Sequence, residues 1–265
     1  MGLLARPWFE SHPASARHSG GVTNPRRQLD GADDEALLAL FAAIASGEHL
    51  EVEQRLRSSS DLAHRAIRVG ATRQHDPDAY FLTAVRNHVY AGDTALHIAA
   101  AAHRREVAAT LVGSGAGVRA RNRRGAEPLH YAADGSPGGE HWDPAGQREV
   151  IAYLVEAGAD PNAVDKSGVA PLHRAVRTRC SVAVDALIRR GADPLLTNKR
   201  CSTALHLAVQ NTGRSDSGSE AARDEQRRII AVLLAHGARP SDVDANGKSV
   251  MDAAASDWVR QLLST

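Results

Sequence analysis

Thirteen histidines, two cysteines and thirty-one carboxylates give this chain of 265 residues the raw material for metal binding or for acid–base and nucleophilic catalysis. Their spacing points elsewhere. His97, His130, His173 and His206 each follow a leucine and stand two residues before an alanine, at intervals of 33, 43 and 33 residues. Zinc holds its nitrogen ligands at about 2 Å, whereas neighbouring stacked helices lie about 8–10 Å apart. One histidine per unit therefore cannot share an ion with the next. Cys180 lies seven residues after His173, two helical turns or about 10 Å away, too far for a thiolate–imidazole pair. Asp160, Asp165 and Asp193 are placed as turn residues and lack the spacing of a calcium loop. No Gly-x-Ser-x-Gly elbow, phosphate loop, dinucleotide fingerprint or His-Glu-x-x-His is present. An enzyme alternative gathers His75, Asp76, Tyr80 and His88 into one segment, but nothing in their spacing specifies a reaction. Catalytic residues, metal ligands and cofactor are accordingly expected to be none.

The elements that carry the histidines are copies of one unit. The cores read Thr94-Ala-Leu-His-Ile-Ala-Ala100, Glu127-Pro-Leu-His-Tyr-Ala-Ala133, Ala170-Pro-Leu-His-Arg-Ala-Val176 and Thr203-Ala-Leu-His-Leu-Ala-Val209. The period is 33, with one insertion of ten residues. Gly-Ala turns at Gly115, Gly158, Gly191 and Gly237 form a second marker, each 15 residues before the next motif centre. The last step lands on Asp252, which replaces the histidine, as a terminal unit would. In each unit a first helix opens at a Thr or its replacement and carries small Ala residues inward. A second helix supplies larger side chains, such as Val107 and Leu111, Ile151 and Leu154, or Ile229, Ile230 and Leu233. One such pair cannot bury its apolar face alone, so the units must stack.

A Thr-Pro-Leu-His-like core at this period, in register with the Gly-Ala turn, resembles the ankyrin-repeat family over residues 33–263. The resemblance implies an all-α solenoid of helix pairs with β-turn or hairpin fingers, acting as a binding scaffold without enzymatic activity. It also implies a structural role for the four histidines, each hydrogen-bonding backbone between turns. The expected organisation is a disordered tail over 1–32 and one array over 33–265. An N-terminal cap with an enlarged finger takes 33–89, repeats take 90–121, 122–164, 165–197 and 198–243, and a C-terminal cap takes 244–265.

The defects in the repeats carry information. Glu127 and Ala170 lack the capping hydroxyl, a loss of about 1 kcal/mol, so the second and third repeats are expected to fray first. Cys201 stands where the other units have Gly92, Gly125, Gly168 and Gly247. It is strained if that position keeps a positive φ. The first folded element is expected as a helix over 36–46 opened by Asp33 and Asp34, with Phe41 in the histidine's place and a second helix over 50–57. In the enlarged finger, Asp76-Pro77 followed by residues 78–85 reads as a short extra helix. Insertions at 134–146 and 211–224 extend the turns between helices of the second and fourth repeats and should emerge on one edge. Trp142 in the first is either an anchor folding the loop back or an exposed binding residue. The last helix, 256–263, is expected to cover the array's end with Trp258, Val259 and Leu262.

Composition agrees with a helical array: 43% hydrophobic, only 4% aromatic and a formal charge of +1. The total charge gives no sign of a nucleic-acid or membrane protein, and no apolar run of about 18 residues is available to span a bilayer. Two thiols make no disulfide framework, so a reduced cytoplasmic setting is the expectation. The basic tail leaves organelle targeting as its alternative.

Transferring the family's variable finger-tip and first-helix positions onto this chain marks a candidate partner-binding face. Its members are Tyr90, Asp93, Arg121, Arg123, Arg124, Lys166, Arg177, Lys199, Arg200 and Lys248, with Trp142 from the insertion. Over the whole transferred set, eight basic residues stand against Asp93 and Asp134, in a chain of net +1. The expected partner is another protein with an acidic segment, held by a monomer through bidentate arginines and Tyr90. A regulatory or inhibitory subunit of an enzyme, immunity-like in kind, and a polyanion- or RNA-binding module are the alternatives; the second lacks stacking aromatics beside its basic residues.

Overall fold

The computed structural model describes residues 25–72, 80–139, 142–211 and 218–264, with side chains from residue 34 onward. Six helix pairs follow one another. They are α1 (Pro25–Ser46) with α2 (His49–Ser58), α3 (Ala95–Ala101) with α4 (Arg105–Gly113), α5 (Pro128–Ala132) with α6 (Pro144–Glu156), α7 (Pro171–Arg177) with α8 (Ser181–Arg189), α9 (Ala204–Ala208) with α10 (Glu220–Ala235), and α11 (Val250–Ala253) with α12 (Asp257–Leu263). The first helices of the pairs stack in chain order from α1 to α11, and α4, α6, α8 and α10 stack behind them. A continuous core results, running from Leu37 and Phe41 through Leu96, Leu129, Leu172 and Leu205 to Val250. Buried Ala99, Ala132, Ala175 and Ala208 let the inner helices approach closely.

The fingers are joined edge to edge by backbone. Arg123 N donates to Ala91 O at 2.7 Å, Lys166 N to Arg124 O at 2.9 Å, Lys199 N to Ser167 O at 3.3 Å and Ala245 N to Arg200 O at 3.0 Å. Tight approach dictates glycine at the crossing. A Cβ on Gly92 (φ +89°) would meet Asn122 Cα at 2.7 Å. Cys201 keeps the left-handed backbone of its glycine counterparts, with φ 54°, and so carries the strain its sequence position implied.

The histidine rings tie one repeat to the next. His97 Nδ1 accepts the Thr94 N–H at 3.1 Å while Nε2 meets Ala126 O of the following finger at 3.1 Å. His130 does the same between Glu127 N–H and Val169 O, and His173 between Ala170 N–H and Ser202 O. An N–H donated to Nδ1 fixes the proton on Nε2, which can then donate onward. The capping bond uses only the backbone of the capping residue, so Glu127 and Ala170 retain it without a hydroxyl. The bridge fails once: His206 accepts the Thr203 N–H at 3.2 Å, yet its buried Nε2 finds no partner.

Two departures from the sequence reading concern the N-terminal end and the first finger. α1 begins at Pro25 rather than near residue 36, so Asp33 and Asp34 lie within the helix instead of at its positive end. Asp34 accepts the backbone N–H of Arg68 and of Val69, both at 3.3 Å. Residues 1–24 and 73–79, which hold most of the expected tail and the Asp76-Pro77 start, lie outside the described residues. The rest of the expected extra helix is a hairpin: β1 (Phe81–Leu82) pairs antiparallel with β2 (Asn87–His88), with Arg86 left-handed at φ 50° in the turn. Extended backbone wins here because it is paired on both sides, Val89 N donating to Tyr80 O and Ala71 N to Val89 O at 2.8 Å. This pairing also lays Tyr80, Leu82 and Val85 against the core. At the other end α12 buries Val259 and packs Trp258 and Leu262 half-buried, with Asp257, Arg260 and Gln261 outward, as the helical spacing requires.

Candidate functional site

The exposed face lies where the fingers meet the inner helices, and the structure divides the sequence-predicted residues into three groups. Lys166, Arg177, Lys199, Arg200 and Lys248 are exposed, and among the described residues none of them enters an ion pair. Tyr90, Arg123 and Arg124 come together: the two guanidinium carbons lie 5.5 and 5.0 Å from the Tyr90 ring centre, within cation–π range. Arg123 is also anchored, donating through Nη2 to Ala71 O at 2.6 Å.

The third group belongs to the scaffold. Asp93 is completely buried, accepting from Asn122 Nδ2 at 2.9 Å, from the Tyr131 hydroxyl at 2.9 Å and from Tyr90 N–H at 2.7 Å. A carboxylate with its oxygens so occupied offers nothing to a partner. Arg121 points outward but is paired with Glu127 Oε1 at 3.0 Å, which neutralises it locally. Trp142 folds its loop back, donating from Nε1 to Gln147 Oε1 at 2.8 Å and packing against the core. Gln147 is fully buried, donates to Ala132 O at 2.9 Å and also receives the Cys180 thiol at 3.1 Å. The anchoring reading of Trp142 is the one its geometry supports. The same burial pushes the Cys180 thiol up to about 11, far from an activated nucleophile.

Between the hairpin and the inner helices lies a polar cleft of about 180 Å³ lined by Tyr90, Arg124, Tyr131, Asp134, Arg174 and Arg177 among others. Arg174 is the residue that sequence reasoning missed. Its guanidinium donates to Asp134 Oδ2 at 3.0 Å and lies 5.3 Å from the Tyr131 ring centre. Partial burial raises the Asp134 carboxyl from its ordinary value, against the pull of the Arg174, Arg177 and Arg124 guanidiniums. Burial and the neighbouring Asp93 together hold the Tyr131 hydroxyl protonated. A signal existed in the sequence: Tyr131 and Arg174 occupy the position after the histidine, where the flanking repeats carry Ile98 and Leu207. Two polar residues in one column of consecutive repeats are stacked by the period itself.

Of the catalytic alternative, His75 and Asp76 lie outside the described residues. His88 stacks with Phe81 at 4.9 Å on the hairpin. Among the described residues no group of three His, Cys, Asp or Glu side chains converges as a metal site, and no helix is long and apolar enough to cross a membrane.

Helix pairs stacked by histidine bridges, with fingers joined through backbone, are the architecture on which the comparisons bear. One family model, described as ankyrin repeats in three copies, matches residues 40–163, and a second, ankyrin repeats in many copies, matches residues 154–208. The chain belongs to the ankyrin-repeat family. Together the two matches span more than half of it. A comparison with curated proteins finds no match. Ankyrin repeats are in general protein–protein interaction modules and typically non-enzymatic.

Proposed function

We propose that this ankyrin array is a non-enzymatic, monomeric binding scaffold whose concave face takes an acidic segment of a protein partner. One observation carries the reading. Arg124, Lys166, Lys199, Arg200 and Lys248 follow the finger ladder from the second repeat to the last, with Arg177 beside them at the end of α7, all exposed and without ion pairs among the described residues. Many arginines elsewhere on the surface are paired within the chain, as in Arg189–Asp185, Arg190–Glu156 and Arg228–Glu225, though not all of them. Unpaired like charges in a row raise the potential of a groove and steer an opposite partner into it. The polyanion alternative is disfavoured by Tyr90, whose ring is already engaged by Arg123 and Arg124 and so is not an open stacking platform. A regulatory or inhibitory subunit would use the same face.

The test is charge reversal. Lys166, Lys199, Arg200 and Lys248 are changed together to Glu, and proteins captured from the native cell by the variant and by the wild type are compared. Loss of an acidic partner, with unchanged circular dichroism, supports the reading. Retention of the same partners at the same affinity refutes it, and steep salt-dependent binding of single-stranded RNA by the wild type would replace it.

A further inference from the structure

The charges of the polar cleft fall into those satisfied within the chain and those facing its hollow. Asp165 accepts the N–H groups of Ser167 at 2.7 Å and Val169 at 3.0 Å, shaping its own turn. Asp134 accepts from Arg174 at 3.0 Å. The Tyr131 hydroxyl donates to Asp93, and Thr178 Oγ1 donates to Arg174 O at 3.2 Å. Asp134 and Arg174 are thus paired with each other, while Asp165 engages only Oδ1, with backbone, and keeps its charge. Neither the Arg177 nor the Arg124 side chain makes a hydrogen bond or close ion pair among the described residues; Arg124 lies against the Tyr90 ring, and both feel the charge of Asp134. The cleft thus sets three guanidiniums against two carboxylates, leaving an excess of positive charge facing a hollow of about 180 Å³, enough for a carboxylate and its flanking methylenes.

We propose that this cleft is the specificity pocket of the concave face, receiving one Asp or Glu side chain of the partner segment between Arg124 and Arg177, with Asp134 as a resident counter-ion that the incoming carboxylate must oppose. The proposal rests on the acidic-segment reading above and sharpens it to one place. It has a consequence that a diffuse basic stripe lacks. Asp134 is attracted to Arg124 and Arg177 as well as to Arg174, so it already screens the charges that the ligand would use. Removing its charge should tighten binding even though the variant takes nothing from the partner's contacts.

The probe is a fluorescein-labelled octaglutamate peptide, titrated by anisotropy at low ionic strength against the full chain. Arg177→Ala, which breaks no internal bond among the described residues, should weaken binding about tenfold or more, the scale of a lost charge-assisted pair. Asp134→Asn, whose amide can still accept from Arg174, should strengthen it about threefold or more on the same scale. Lys199→Ala, outside the cleft, should change it less than either. If Lys199→Ala and Arg177→Ala weaken binding equally and Asp134→Asn has no effect, the stripe stands and the pocket is refuted. If the wild type fails to bind the peptide, both readings fall. If a phosphoserine peptide of equal charge binds more than about tenfold tighter, the assignment to a carboxylate is overturned. Circular dichroism of each variant guards the comparison, and should Asp134→Asn unfold, Arg177→Ala against Lys199→Ala alone decides.

Discussion

Acid should loosen this array one repeat at a time, and the histidine bridges set where in pH this happens. Each bridge needs a neutral ring, because Nδ1 must accept an N–H while Nε2 donates. Protonation turns Nδ1 into a donor facing another donor. Burial lowers the His130 pKa to about 4 from its ordinary 6.5, and it lowers His97 and His173 in the same direction. His103, whose Nε2 meets Asp134 O at 3.2 Å, is lowered to about 4, also by burial. The unfolded chain therefore binds protons that the folded chain refuses. Stability is fully present above pH 6.5 and is lost as pH falls toward 4.

For His130 the gap of 6.5 to about 4 corresponds to roughly 3 kcal/mol when complete, and about 2 kcal/mol of that is already lost at pH 5. His103 is only part-buried and should contribute less. Above pH 5 most carboxylates remain ionised, and Asp61, Asp244 and Asp252, all lowered, titrate further down. The window from pH 7.5 to 5.0 thus isolates the histidines, with Asp134, raised by burial, pulling weakly the other way. The assay is urea unfolding followed by circular dichroism at the two pH values. Wild type should lose several kcal/mol; His130→Gln, less stable at pH 7.5, should lose about 2 kcal/mol less across the interval. Should that variant not fold, His103→Asn, whose side chain tolerates the left-handed backbone of that position (φ 55°), serves instead with a smaller reduction. An unfolding midpoint that is the same at both pH values, or a pH slope unchanged in both variants, refutes the reasoning.

Three further outcomes follow from particular residues. Cys201→Gly relieves a left-handed residue of φ 54°; the strain of about 1–2 kcal/mol outweighs the added chain entropy of about 0.5–1 kcal/mol, so the melting temperature should rise by a few degrees, and a fall would show the backbone is unstrained. In the native chain a thiol reagent should titrate exposed Cys201 promptly and buried Cys180 only after denaturant is added; two fast thiols would contradict the packing around Gln147. Deleting residues 255–265 removes Val259 and Leu263, which are buried in the core, and Trp258 and Leu262, which pack against it, so the shortened chain should aggregate or lose helicity near its end, and a form as stable as the full chain would overturn the capping role of α12.

The scaffold was legible because it is periodic. A 33-residue spacing of Leu-His-x-Ala fixes which side chains face inward, and the stacked core of Leu96, Leu129, Leu172 and Leu205 follows from it. The second helices fell where their larger apolar residues placed them, α2 and α12 among them. Aperiodic segments were less legible. Residues 80–88 carry Tyr, Phe and Leu at spacings that suit a helix as well as a strand, and only the distant backbone of Ala71, 18 residues before Val89, decides for the hairpin. α1 starts at Pro25, where Asn24-Pro25 is a cap-and-proline signal in the sequence, but the apolar periodicity begins only near Ala36, beyond Gly31, so the acidic pair reads as the start instead. The exposed face was legible as a set of positions but not as charges. Asp93 and Arg121 occupy variable columns, yet one is consumed by Tyr131 and Asn122 and the other by Glu127.

Departures from the repeat, taken together, converge on one place. Tyr131 and Arg174 replace aliphatic residues in the same column, the first insertion begins at Asp134, and the enlarged finger contributes Tyr90 and its hairpin. None of these is needed to stack helix pairs, since the fourth repeat stacks with Leu207 in that column and no hairpin. Each introduces a polar group that the array must then satisfy internally, through Arg174–Asp134, Tyr131–Asp93 and Asn122–Asp93. Buried polar networks of this kind are destabilising when half-made and so hold their members in one arrangement when complete. A groove of plain repeats would present an evenly charged slope, whereas this network fixes Arg174 and Asp134 beside the guanidiniums of Arg124 and Arg177. On the proposed reading, that rigidity is what would let the site choose among acidic segments rather than attract all of them.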